Sequence, residues 1–263
     1  MKFSSLFLFL FFVPCISPAR VIPIQNRVDS ALLTHDFQSF KTFADNLPKY
    51  GSRIQSYWET LRELVNGYDE GIFYFEKSIR DSINPAISTV YTYRVRMIAS
   101  DSAIISFDLS EKLNRKNKDD EWEPYYNSLD SYKDENLFAL VQSSFKSVFG
   151  TTFKEAELFD ESVVYGGHCG YAGIERPEMQ ELDSMVVNKD RKGLTEWLQS
   201  ANVEKQVYAV DGFYQLKQKK EIISPEEKRM LKAVMNKKGT IRTCSGCIYS
   251  DRTISEVVRK FHF

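Results

Sequence analysis

Histidine is scarce in this chain: of 263 residues only His35, His168 and His262 carry an imidazole. A proton shuttle or a three-histidine metal centre has almost nothing to be built from. Cysteine is nearly as rare, at four, and net charge is close to absent, at −1 from 35 bases and 36 acids. That balance excludes the basic surface that nucleic acid requires and leaves no polybasic patch for a membrane. No stretch approaches the roughly 18 consecutive apolar residues of a membrane span. Neither a Walker loop nor a dinucleotide fingerprint occurs, because Gly166-Gly167-His168-Cys169-Gly170 lacks the Lys-Ser/Thr pair. No N-x-S/T triplet marks a glycosylated loop, and no long low-complexity segment is found.

What is present begins with a targeting signal. Met1 and Lys2 supply a weak positive start, residues 6–13 are an unbroken apolar run, and Ser17-Pro18-Ala19 offers small residues for cleavage. Residues 1–19 therefore read as a signal peptide, with the mature chain starting near Arg20 and no membrane span left after its removal. The rival is an uncleaved anchor. Pro14 before Cys15 is a poor fit to a lipid-attachment box. The expected location is extracytoplasmic, secreted or periplasmic, where disulfides persist. The mature chain keeps Cys169, Cys244 and Cys247. A hydrophobic fraction of 43% is ample for a core, and aromatics at 14%, many of them Tyr, suit half-buried positions.

Apolar residues recur at helical spacing over 28–47, and again over 53–65 through Ile54, Tyr57, Trp58, Leu61, Leu64 and Val65. Residues 71–80 fit either period, with helix favoured. Residues 88–109 alternate with period two around Ser100-Asp101-Ser102, which predicts a β-hairpin. The charge-dense stretch 113–123 reads as a solvated loop and a boundary. It separates an N-terminal α+β region, 20–112, from a C-terminal helical region, 124–263. Helical spacing resumes over 125–149 and stops at Gly150. Glu155, Glu157, Asp160 and Glu161 then read as a solvated helix face. Residues 165–173 hold four glycines in nine and must be a loop. Four helices follow. Pro177 opens the first, Asn202 or Ser200 caps the third, and Ser224-Pro225-Glu226-Glu227 forms a capping box on the fourth. A short last helix carries Ile254, Val257 and Val258 inward. The fold class expected is mainly α with one β-hairpin (α+β).

Within the helical half, residues 193–216 carry a leucine-bearing helix, a Ser200-Ala201-Asn202 corner, then Glu204, Gln206 and a small Ala209. This unit resembles a HEAT-type helical hairpin. The resemblance covers about one repeat and implies C-terminal HEAT-like helical hairpins that offer a protein-binding surface without catalysis. Asp211-Gly212 departs from the family's run of helix formers.

The sharpest chemistry lies in Cys244-Ser245-Gly246-Cys247 and in His168-Cys169. Three readings stay open. A structural disulfide would join Cys169 to Cys244 or Cys247, or close locally between the last two. A zinc site would draw on Cys169, Cys244, Cys247 and His168, with His262 as substitute ligand. A redox pair would need the C-x-x-C at a helix N-terminus, whereas here a helix precedes it. Tyr165, Gly166, Gly167 and Gly170 would line the loop. The function expected is a non-enzymatic structural or protein-interaction module. No cofactor is called for, the partner class is protein, and the alternative is a thiol-disulfide or zinc-binding protein.

Overall fold

The computed structural model describes residues 23–47, 54–84, 86–169 and 173–263. The expected signal segment, Cys15 and Gly170 lie outside the described residues. Helices α1 (Pro23–Leu32) and α2 (Phe37–Asn46) lead into a five-stranded antiparallel meander: β1 (Ile54–Val65), β2 (Tyr68–Arg80), β3 (Ser88–Ser100), β4 (Ile104–Lys116) and β5 (Trp122–Lys133). Helix α3 (Glu135–Phe149) leaves the sheet. A two-residue ladder, β6 (His168–Cys169) with β7 (Ile174–Glu175), precedes helices α4 (Pro177–Val187), α5 (Arg191–Leu198), α6 (Val203–Gln218) and α7 (Pro225–Met235). The hairpin β8 (Thr240–Ser245) and β9 (Ile248–Thr253) and helix α8 (Ile254–Val258) finish the chain.

The expectation of a mainly α protein is overturned, since helix and strand are nearly equal at 38% and 37%, with the sheet in the N-terminal half. Within the helix expected over 53–65, Ile54–Val65 are instead strand β1, and two bulges give it a helix-like spacing. Glu59 and Leu64 are the extra residues between Trp58/Thr60 and Glu63/Val65 in its pairing with β2. Each bulge inserts one residue and resets the alternation, so that Ile54, Trp58 and Leu61 fall on one face at what looks like helical spacing. Residues 71–80 are β2, buried on both faces from Glu70 to Phe75. A strand covered on both sides has no polar alternation to read. Residues 113–123 are the ends of β4 and β5 and the turn between them, with Leu113 opposite Tyr125 and Lys116 opposite Trp122. The single helix expected over 28–47 is two helices. His35 between them has φ 49° and stacks on Tyr132 with ring centroids 3.7 Å apart.

The sheet separates two cores. On one face, α1 and α2 bury Val28, Leu32, Phe37 and Phe40 against Phe73, Phe75, Tyr93, Val95, Met97 and Phe107. On the other, Leu64, Val65, Ile98 and Ile105 join α3 and the C-terminal helices. Helix α6 is the axis of that second core. Val203, Val207, Tyr208, Val210, Phe213 and Leu216 are all fully buried. Asn202 caps it by accepting from the Lys205 amide. A Cβ on Gly212 would stand 2.5 Å from Leu194 and 2.8 Å from Leu182, so glycine is what lets α4 and α5 approach α6 this closely. Both expected caps at residues 177 and 224 form: Pro177 occupies the first turn of α4, and Ser224 and Glu227 close a capping box on α7.

Sheet and helices are joined by buried charge. Arg62 of β1 reaches its cross-strand partner Glu70 at 3.1 Å and Glu204 of α6 at 2.6 Å. Glu204 also accepts the Arg242 amide of β8 at 3.1 Å. Lys237, just past α7, donates to the Leu64 carbonyl at 2.6 Å. Residues 238–239 cap the outer edge of β1, where Glu63 N–H donates to the Lys238 carbonyl and Gly239 bridges Arg62.

Candidate functional site

The glycine-rich segment and the C-terminal hairpin meet. Tyr165 runs parallel to Thr243 of β8, with Tyr165 N–H donating to Arg242 O and Cys244 N–H to Tyr165 O, both at 2.9 Å. One step on, Gly246 N–H donates to His168 O at 3.1 Å. The segment thus acts as a third strand beside β8, and a disulfide between Cys169 and Cys244, Cα atoms 5.7 Å apart, fastens it. With Val164 the two sulfurs form a small buried cluster of their own. Gly166 has to be glycine, since a Cβ there would lie 2.2 Å from the Cys244 carbonyl oxygen. Gly167 has open space where a Cβ would go, so its lack of a side chain is not demanded by contact.

Tyr208 of α6 holds the segment from below. Its hydroxyl accepts the Gly166 N–H at 2.9 Å and lies 2.9 Å and 2.8 Å from the Val164 and Gly166 carbonyls, to one of which it gives its proton. Burial, and then the nearby Glu178 charge, push this phenol up to about 12. Tyr165 donates to Asp211 Oδ2 at 2.9 Å, and burial followed by the Asp211 charge drives its pKa higher still. Both phenols are therefore neutral donors at physiological pH and neither is activated as a base. Asp211 also accepts from Gln215 at 3.2 Å.

Above these tyrosines lies a cleft of about 480 Å³. Its floor is the three-strand face formed by Tyr165, Thr243, Ser250 and Arg252. Met179 of α4, Asp211 of α6, and Glu256, Val257 and Lys260 at the C-terminal end make its walls. The volume is within the usual range of small-ligand and side-chain pockets. The Lys260 ammonium sits 5.7 Å from the Tyr165 ring centroid. Glu256 spends its carboxylate on the cap of α8, accepting from the Thr253 N–H at 3.0 Å, and this bonding lowers its pKa.

Of the residues singled out in sequence, Tyr165, Gly166, Gly167, Cys169 and Cys244 converge here. Cys247 is exposed at the β8–β9 turn and lies outside the bridge. His168 is exposed and contributes its backbone, and His262 contributes a carbonyl that accepts from Lys217 at 2.7 Å. With Cys169 and Cys244 joined, two of the three thiolates of the Cys₃His set are spent, and among the described residues no three His, Cys, Asp or Glu side chains converge to hold a metal. The acidic group at 155–161 is not a helix face. Glu157 accepts from Ser200 Oγ at 2.8 Å and Ala201 N at 3.0 Å, and Glu161 accepts from Tyr74 at 3.1 Å. Sequence reasoning missed Met179, Tyr208, Arg252 and Lys260 as site residues. The one available signal was Asp211, an acid placed in the middle of an otherwise buried helix.

The chain matches no family model, no curated protein and no solved structure.

Proposed function

We propose that this chain is an extracytoplasmic, non-enzymatic module that binds a segment of a partner protein in the cleft between the β8–β9 hairpin and helices α4, α6 and α8. The observation that carries the reading is the stapled floor of that cleft. The Cys169–Cys244 bond and the Tyr208 hydroxyl fix residues 164–167 before any ligand arrives, and a preformed site avoids the cost of ordering on binding. The half-buried Tyr165 ring, a methionine and a valine supply apolar contact, and charged groups line the same cleft. The signal segment read at residues 1–19 and the disulfide both favour an oxidising compartment, and no described helix is long and apolar enough to cross a membrane. Against catalysis stands the state of the polar groups: raised phenols, and carboxylates already engaged by Tyr165, Gln215 and the Thr253 amide. The HEAT-like hairpin α5–α6 enters this reading as one unit that presents Tyr208 and Asp211.

The test is selection of a random 12-residue peptide library on the mature protein, with binders re-measured on Met179→Glu and Val257→Glu. A dominant peptide family that loses about tenfold or more on either variant supports the cleft. Absence of enrichment, or binders indifferent to both changes, overturns it.

A thiol-disulfide role remains the second reading. Its support is that the bridge engages the first cysteine of the C-x-x-C and leaves Cys247 exposed three positions on. The pair lies at a hairpin turn and not at a helix N-terminus, so the usual device for lowering a thiol pKa is missing. Reduction of insulin by the protein at a rate above dithiol buffer would favour this second reading.

A further inference from the structure

Resting on the reading of the cleft as a binding site, we infer that the partner segment carries a carboxylate, which Arg252 and Lys260 receive. The charged groups around the cleft are unequally engaged. Its carboxylates already serve the fold: Asp211 accepts from the Tyr165 hydroxyl and the Gln215 amide, and Glu256 accepts through Oε2 from the Thr253 N–H. Neither Arg252 nor Lys260 meets a carboxylate at ion-pair distance among the described residues, although Asp211 and Glu256 line the same cleft. Arg252 acts on Glu256 only through space, lowering its pKa. Lys260 rests over the rings of Tyr165 and Phe261, at 5.7 Å and 4.8 Å from their centroids. A cation held over an aromatic face keeps its N–H groups available outward. A ligand that brings a carboxylate into this cleft supplies the partner that Arg252 and Lys260 lack there.

Shape points the same way. Arg252 of β9 and Lys260, just past α8, line the same cleft as Tyr165, Met179 and Val257, and the Lys260 ammonium lies over the Tyr165 ring. An acidic side chain next to an aromatic or aliphatic one matches that layout, the ring seated on Tyr165 and the carboxylate between the two cations. A guanidinium fork receives a carboxylate in two parallel hydrogen bonds, which gives direction as well as attraction.

Three blocked dipeptides on one skeleton test the inference: acetyl-Tyr-Glu-amide, acetyl-Tyr-Gln-amide and acetyl-Tyr-Lys-amide, measured by saturation-transfer NMR against the full mature protein. The Glu form is expected to bind roughly fivefold more tightly than the Gln form, the worth of about one partly exposed ion pair, and the Lys form to be weakest. The advantage should vanish in Arg252→Gln with Lys260→Gln and shrink as salt is raised. Equal binding of the Glu and Gln forms overturns the carboxylate inference and leaves the cleft standing. Failure of all three to bind overturns the cleft with it. An advantage that persists in the double variant also overturns the inference, because the carboxylate then has another receiver.

Discussion

Arg62 and Glu204 lie 142 positions apart in sequence and meet at 2.6 Å, each with its side chain only 4% exposed. Together with Glu70 they form the charged bolt between the sheet and helix α6. Two carboxylates flank one guanidinium, and removing it would leave two buried acids without that counter-charge. Arg62→Met is therefore expected to cost roughly 3–5 kcal/mol in chemical denaturation. The combined change Arg62→Met, Glu70→Gln and Glu204→Gln should cost less than the single one. A single substitution that is nearly neutral would show that water reaches this site.

Lys237 gives the fold a pH dependence. Burial, with the Arg62 charge beside it, pushes its amine down from 10.5 to about 7. The native pKa is below the unfolded one, so between those limits the unfolded chain holds a proton that the native chain lacks. Stability from this group therefore rises with pH from about 7 to about 10.5, is lost as pH falls across that same interval, and is level below about 7. Urea titrations of the native chain and of Lys237→Met should diverge above about pH 7 with a slope approaching about 1.4 kcal/mol per pH unit. Parallel curves would rule out a buried neutral amine.

Gly166 and Gly167 are neighbours with opposite tolerance. Alanine at 166 meets the Cys244 carbonyl at 2.2 Å, whereas alanine at 167 meets nothing within 4 Å. Gly166→Ala should lower stability by about 1–3 kcal/mol or more, because the obstructing atom is backbone. Gly167→Ala should stay within about 0.5 kcal/mol. Calorimetric midpoints of the two variants decide it, and equal midpoints would disprove the close approach of this segment to β8.

The Cys169–Cys244 bond spans 75 positions. A loop of that length is worth on the order of 4 kcal/mol in the chain-entropy account. Cys169→Ser and Cys244→Ser should each lose a large part of that, and Cys247→Ser little. Non-reducing peptide mapping checks the pairing directly. Recovery of a Cys244–Cys247 peptide in place of Cys169–Cys244 would contradict it.

Much of the C-terminal half could be read from residues alone. Ser224 and Glu227, Asn202, and Pro177 mark helix starts by local chemistry that needs no tertiary context. The sheet was hidden for two physical reasons. In β1, extra residues at Glu59 and Leu64 turned a two-residue repeat into steps of three and four. In β2, Ile72 and Tyr74 are covered on one side and Phe73 and Phe75 on the other, so burial erased the alternation. The approach of the glycine segment to the tail was legible, because Cys169, Cys244 and four closely spaced glycines are rare enough to point at one another. The rest of the cleft was not. Tyr208, Arg252 and Lys260 are ordinary residues until α6, β9 and the end of α8 bring them to one place. The Arg62–Glu70–Glu204 cluster is equally silent in sequence, since a buried charge looks like a solvated one until its neighbours are known.

The Cys169–Cys244 bond also makes a covalent ring of the chain between its ends, and α4 to α7 lie within that ring. Lys219 and Lys220, at the turn leaving α6, are exposed basic positions on its circumference. A trypsin-like cut there would open the ring into a line without setting either piece loose. The nicked molecule would run as one chain until a reductant parted it.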